Sequence, residues 1–379
     1  MAYYRHFVER KDFEVFVATD NPQIHDYAVP YPYLFFQSSR ALERLKRTRF
    51  STIAHSISHL FEGKFILKKV EHAAVQFKPD LIMTVGGSWS WTALMAWRLA
   101  DKLKLPFVSS FNDWFDYNLI THPHATSRIE EVYRQLYLHC DLALCTSEGM
   151  REALGSHPNA KILYPMGAPF PASPENYVPY RANGKPYAVA FAGNMGEWYG
   201  RMLERLASKS RREKAAIDFR FFGSNASWSR EFDAEMKRDG KFRGQIPFKE
   251  LQSELSKVDA LLLLMGFDND CAQIERTSFK TKFLDYLSFQ KPILLWGPEY
   301  CSAVRIAREF DSAEICTSPD ETEFLTVIQS LAQNPRRQQQ LVDNARRMYE
   351  DRFHPNKIHG LLVEQCLKLR EKIGLKTSP

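Results

Sequence analysis

The sequence predicts an α/β fold of two Rossmann-like domains whose parallel sheets face each other across a cleft. Three observations carry that expectation. Short, nearly continuous apolar runs alternate with helix-like segments along the chain, the pattern of a parallel sheet covered on both faces. The alternation stops at a Pro-, Asn- and Ser-rich stretch between Ala168 and Lys185 and then restarts, which marks a linker. A length of 379 residues suits two domains better than one core.

The first half opens with a helix-like N-terminus followed by the strand "FEVFVAT". No strand with a glycine-rich loop precedes it, so this half reads as truncated or reduced at its start. "PDLIMTVGG" is the next strand, ending in turn chemistry. "SWTALMAWRLADKLK" has helical periodicity and leads into strand "LPFVSSF". "SRIEEVYRQLYLHC" is helical and runs into strand "DLALCTS". Ser147 is placed to cap "EGMREALG", Gly155 to end it, and "AKILYPMG" closes the half. After the linker come strands "YAVAFAG", "IDFRFFG", "ALLLLMG", "KPILLWG" and "SAEICTS", each followed by a helix. The last helical stretch, Pro355 to Ile373, has no strand after it and is expected to brace the first domain.

Hydrophobic residues at 44% and charged residues at 25% are those of a globular chain. The longest apolar runs are strand-sized, which argues against a membrane span. "MAYYRHFVERKDF" lacks the apolar core of a secretion signal. A cytoplasmic location is therefore expected, with six cysteines reduced and buried, none paired at metal-ligand spacing. His122 and His124 share a loop without a third ligand nearby, so no metal site is expected. A net charge of +6 is modest for a nucleic-acid binder, and no nucleic-acid partner is expected. The dense basic run "SSRALERLKRTRF" carries Arg40, Arg44, Lys46, Arg47 and Arg49. It reads either as a solvated helix face or as a surface drawn to an anionic membrane or a phosphate-bearing acceptor.

Doubly wound sheets bind ligands beyond the carboxyl ends of their strands. In the second half, "AFAGNMGEWYGRMLERL" places Gly193, Asn194 and Gly196 there. The glycines let backbone approach a ligand, and the following helix offers free N–H groups to a phosphate; a plain tight turn would look the same. "ERTSFKTKFLDYLSFQKPILLW" is more specific. Lys280 and Lys282 stand where a helix should begin, and cations there oppose the helix dipole by roughly 0.3–1 kcal/mol each. Thr277 or Ser278 is placed to cap that helix. Lys282 and Asp285 share one helical face, as a surface ion pair or as a lysine for a diphosphate with a carboxylate for ribose hydroxyls. In the first half, Asn112 and Asp113 end a strand, either as an Asx turn or as polar contacts in the cleft. Gly86 and Gly87 in "VGGSWSW" permit close approach at another strand end; Trp89 and Trp91 there can stack on a sugar or simply pack. "MGFDNDCAQIERTS" brings Asp268 and Asp270, which can bind sugar hydroxyls; a calcium loop would need a ligand pattern that does not continue.

"SFKTKFLDYLSFQKPILLW" resembles the signature S-x-P-S-K-x-x-E-Y-L-A-x-G-K-P of retaining GT-B glycosyltransferases of family 4. Ser278, Lys282, Tyr286, Leu287, Lys291 and Pro292 match it in register. "FAGNMGEWYG" is similar to the family's first loop in its second domain, "CDLALCTSEGMREAL" with "AKILYPMGAP" to its last strand pair in the first. "ARRMYEDRFHPNKI" resembles its closing crossover helix. The resemblance covers nearly the whole chain, diffusely in the first half and specifically in the second.

The resemblance implies transfer of a sugar, with retention, from a nucleotide-diphosphate sugar to a glycan or lipid-linked acceptor, without a metal, a cofactor or an obligatory covalent nucleophile. It implies that Lys282 holds the diphosphate, that Asp285 replaces the usual glutamate on the ribose, and that amides at Gly193 and Asn194 contact phosphate or donor. Ser278 and Gly196 join the donor set. Asp113 is the expected catalytic contact of the first domain, with Gly86, Gly87 and Asn112 lining the acceptor side. Two departures stand out. Asn194 and Tyr199 replace the Arg and Lys that many members carry, with Arg201 nearby. The family's first glutamate falls on Thr277, so Glu275 or Arg276 must substitute. The implied division is an acceptor domain over 1–168 with its first strand missing, a linker over 169–186, a nucleotide-sugar domain over 187–345 and a crossover segment over 346–379. Two other readings stay open: a nucleotide-sugar epimerase of the same architecture, and a degenerate relative that binds a sugar nucleotide or glycan without turnover. Peripheral contact with the inner face of a membrane is a further expectation from the basic run.

Overall fold

The computed structural model describes residues 3–21, 24, 30–86, 91–114, 120–168, 170 and 177–372. They form two compact units, one from Met1–Pro165 with Asn356–Pro379, the other from Met166–Pro355.

The first unit opens with α1 (Tyr4–Phe7), β1 (Val17–Thr19) and β2 (Tyr33–Phe35), followed by α2 (Arg40–Leu45), α3 (Ser51–Leu60) and α4 (Lys68–Phe77). β1 and β2 pair in parallel as a separate small sheet. Its main sheet alternates with helices: β3 (Ile82–Gly86), α5 (Thr92–Leu103), β4 (Phe107–Phe111), α6 (Pro123–His139), β5 (Leu142–Cys145), α7 (Glu148–Leu154) and β6 (Ala160–Ile162). The described strands run β3-β4-β5-β6, all parallel and in one direction of progression. Every residue of β4 and β5 is buried, the consequence of helices on both faces. Ser147 caps α7 by accepting from the Met150 amide at 3.0 Å, and Gly155 ends it at φ +92°.

The second unit repeats the alternation. Its elements are β7 (Tyr187–Asn194), α8 (Trp198–Arg212), β8 (Ile217–Ser224), α9 (Arg230–Arg238), α10 (Phe248–Ser256) and β9 (Ala260–Leu264). There follow α11 (Ala272–Thr277), α12 (Thr281–Leu287), β10 (Ile293–Trp296), α13 (Ser302–Phe310), β11 (Glu314–Cys316), α14 (Glu321–Ala332) and α15 (Pro335–Met348). The sheet order is β11-β10-β9-β7-β8, parallel throughout. Progression therefore reverses between β7 and β9, and that reversal opens a crevice at the strands' carboxyl ends. Phe191, Phe221, Trp296 and Phe324 fill the core beneath it.

The chain then returns to the first unit as α16 (Pro355–Lys372). Arg10 donates to Asn356, Asp12 meets His359 at 3.0 Å and Arg370 lies 3.5 Å from Asp80. All six cysteines are buried free thiols, as expected. No helix of the described residues is long and apolar enough to cross a membrane.

Candidate active site

The crevice of the second unit is built on β7. Its last residues, Gly193 and Asn194, lie just where progression reverses. Gly193 has φ +142°, and a Cβ there would stand 1.8 Å from the Lys282 ammonium. Glycine is therefore required twice, by backbone conformation and by the lysine lying against it.

Lys282 reaches that position because of Tyr286. The two are one helical turn apart on α12 and share a face. The Tyr286 hydroxyl accepts from the Ala192 amide at 3.0 Å and is fully buried beside β7. This bond holds α12 to the strand, so the lysine one turn earlier passes over Phe191, 4.8 Å from its ring centre, and ends at Gly193. Among the described residues no carboxylate, carbonyl or hydroxyl holds its ammonium. Burial pushes the Lys282 pKa down to about 8; the nearby charge of Lys280 adds to the shift and Glu275 opposes it.

Lys280 is handled differently. Its ammonium lies 2.7 Å from Glu275 Oε2 and donates to the Tyr199 hydroxyl at 2.8 Å. Burial works against its charge, but Glu275 and then Tyr199 outweigh it and raise the pKa above the ordinary lysine value. Oε1 of the same carboxylate accepts from Tyr199 at 2.7 Å, Trp198 Nε1 at 3.1 Å and the Gly266 amide at 3.1 Å. Glu275, expected as a donor contact, is 1% exposed and fully occupied in this way. Its place is structural: it ties α8 to the loop after β9 and neutralises Lys280. The expected cap is also corrected. Thr277 bonds back to Gln273 at 2.9 Å and Ser278 ends α11, while Lys280 is the N-cap of α12 without a side-chain bond.

The loop from β7 into α8 completes the crevice. Asn194 Oδ1 accepts from the Gly196 amide at 3.2 Å, an Asx turn. Glu197 then takes φ +53° and ψ −123°, a conformation that strains a non-glycine residue, and its amide donates to Ser227 at 2.9 Å. No side chain caps α8; the Tyr199 amide donates back to the Gly196 carbonyl at 3.2 Å, which leaves the Trp198 amide at the helix start to meet a ligand. Arg201, exposed on that first turn, makes no ion pair among the described residues. Asp285, expected on the ribose, accepts from the Ala168 amide at 2.8 Å through Oδ1, a bond that fixes α12 to the start of this unit. Asp268 and Asp270 are exposed after β9.

In the first unit Gly86 pairs with Phe111, so Asn112 and Asp113 follow directly beyond the same strand end. Asn112 Oδ1 accepts from Ser110 at 2.9 Å. Trp91 is 6% exposed, and its Nε1 donates to Asp20 at 2.8 Å, a packing role rather than a stacking platform. Gly87 and Trp89 lie outside the described residues. Among the described residues no group of three His, Cys, Asp or Glu side chains is arranged to hold a metal ion.

Residues 4–163 match the model of Glycosyltransferase Family 4. No curated protein matches the chain. Solved structures do, at fold level. HepE from Anabaena, solved with UDP and glucose, aligns with a TM-score of 0.62 at 12% identity, over 96% of this chain and 93% of its own. A glycosyltransferase from Rickettsia africae aligns at 0.60 and 14%, over 92% and 86%. The lipopolysaccharide outer core galactosyltransferase WaaB aligns at 0.54 and 17%, over 88% and 85%. The fold is therefore GT-B.

The residues that sequence reasoning missed are those that place others. Tyr286 lay in view, one turn from Lys282 at helical spacing. The Glu275–Lys280 pair spans a break between α11 and α12 that nothing in the sequence marks, and Ala168 meets Asp285 across 117 positions.

Proposed function

We propose that the chain transfers a sugar from a nucleoside-diphosphate sugar to a glycan or lipid-linked acceptor, with retention and without a metal. One observation carries the reading: a desolvated lysine ammonium stands at the switch point of a doubly wound sheet, without a counter-ion among the described residues and beside a helix with no side-chain cap. A diphosphate supplies the missing charge, and the start of α8 with Arg201 can share it. That HepE was solved with UDP-glucose supports a nucleotide-sugar donor.

In the reaction the bond from the sugar's anomeric carbon to the β-phosphate oxygen breaks and leaves with its electron pair on the diphosphate. A bond from the acceptor oxygen to that carbon forms on the same face, and the acceptor proton passes to the departing phosphate. Lys282 stabilises the negative charge as it develops, the task given elsewhere to a divalent ion. Asp113 orients the sugar or the acceptor hydroxyl from the first unit. Peripheral contact with a membrane through the Arg40–Arg49 run brings the enzyme to a lipid-linked acceptor.

A thermal-shift panel of UDP, GDP, ADP and TDP with their sugars tests the donor half. At one hundred times its dissociation constant a ligand stabilises by about 2.7 kcal/mol. One nucleotide family should give that shift, in the presence of a chelator, and Lys282→Met should lose it. No shift from any nucleotide, with the protein folded, would contradict the reading. Binding without turnover for any acceptor would instead favour the degenerate binder.

A further inference from the structure

Helix α3 is turned inside out. Its buried residues are Ala54, Ser56, Ser58 and His59, while Phe50 and Ile53 on its outer face are 42% and 39% exposed and Phe61 at its C-cap is 55% exposed. With the half-buried Ile57 these fall at spacings of three and four, one continuous stripe. Phe65, just beyond, is 69% exposed. The inner polar residues have a reason to be inside: Ser56 bonds back to Thr52 and accepts from the His122 amide at 2.9 Å, holding the start of α6. Among the described residues, the outer apolar residues have no such reason to be where they are. A contiguous apolar stripe at a surface marks an interaction site.

The charge around the stripe says what covers it. Residues 40–69 hold eight lysines and arginines against two carboxylates, as large an excess as the net charge of the whole chain. Both carboxylates are already committed, Glu43 to Lys46 at 2.8 Å and Glu62 to Ser38 and the Ser39 amide. Arg40, Arg44, Arg47 and Lys68 make no ion pair among the described residues. Arg49 lies over the Phe50 ring at 4.9 Å and Lys64 over Phe61 at 5.2 Å. Aromatic side chains flanked by long cations suit the boundary between acyl chains and anionic headgroups, where rings insert and cations reach back to phosphate.

We infer that α3 and the turn after it form a docking surface for an anionic bilayer, with Phe61 and Phe65 inserting between headgroups and Arg44 and Arg47 binding phosphates. This deepens the membrane contact in the proposed function and rests on that reading only for its purpose, delivery to a lipid-linked acceptor.

The test is co-sedimentation of the full chain with vesicles of phosphatidylcholine, alone or mixed with phosphatidylglycerol. The protein should sediment with the mixed vesicles and not the neutral ones, less so as salt rises. The double variant Phe61→Ser with Phe65→Ser should lower partitioning about tenfold or more at constant salt. Arg44→Glu with Arg47→Glu should do so by at least about tenfold at low salt. Equal binding to both vesicle types, or binding unchanged in the phenylalanine variant, overturns the inference. So does a protein dimer that the phenylalanine variant abolishes without any vesicle binding, since a second copy would then be the occupant. Nucleotide thermal shifts on the same variants should match the parent, which separates failure of this surface from failure of the donor site.

Discussion

Lys280 and Lys282 are two residues apart and differ in almost every physical respect. Lys280 is held by Glu275 and Tyr199, and its charge is neutralised within the fold. Lys282 is desolvated to a similar degree but ends over Phe191 against a glycine, with its pKa lowered to about 8. Burial therefore does not separate the two lysines; the presence of a counter-ion does. A buried charge with its partner is part of the scaffold, and one without a partner among the described residues is the candidate for a ligand.

Substitutions should separate the two lysines most sharply at Glu275. Glu275→Gln removes the counter-ion of a buried ammonium and weakens bonds to Trp198, Tyr199 and Gly266. Denaturant unfolding should show a loss of about 3–5 kcal/mol; a loss below about 1 kcal/mol would mean Lys280 is not held as described. Next comes Tyr286→Phe, which orphans the buried Ala192 amide. It should cost about 1–3 kcal/mol and also weaken nucleotide affinity, because α12 loses its tie to β7. Gly193→Ala should act in the opposite proportion. The new methyl displaces only the end of a flexible lysine, so the fold should lose about 1–3 kcal/mol from backbone strain, yet nucleotide binding should fall as far as in Lys282→Met.

A further effect is on the unliganded protein's response to pH. The folded pKa of Lys282 lies below its unfolded value, so its charge costs stability below about pH 8, and that cost fades as pH rises toward the ordinary lysine range. The parent should gain stability, relative to Lys282→Met, by up to roughly 1.4 kcal/mol per pH unit between about pH 8 and about pH 10. An identical pH dependence in the two proteins would remove the evidence for a desolvated ammonium.

Much of this molecule could be read from its sequence. Runs such as "ALLLL" and "FVSSF" are buried on every residue, so they announced parallel strands without alternation. Ser147 and Gly155 marked both ends of α7 by local chemistry. β2 was missed, since three residues bounded by loops carry no periodic signal. The site was legible in part. Lys282 and Gly193 stood at strand and helix ends where ligands bind, but the fate of Glu275 depended on a helix break at Ser278–Lys280 that local propensity does not encode. The outward face of α3 was hidden for a related reason: its apolar spacing is that of any amphipathic helix, and only packing shows which side faces out.

The central claim is that Lys282 is the unpaired cation that binds a diphosphate, and calorimetric titration of the preferred nucleoside diphosphate across pH tests it most directly. Wild-type affinity should hold up to about pH 8 and then fall by about tenfold per pH unit, with uptake of up to about one proton on binding, while Lys282→Met binds weakly and without that dependence. Wild-type affinity that stays flat through this range, or a Lys282→Met variant that binds as tightly as the parent, would contradict it.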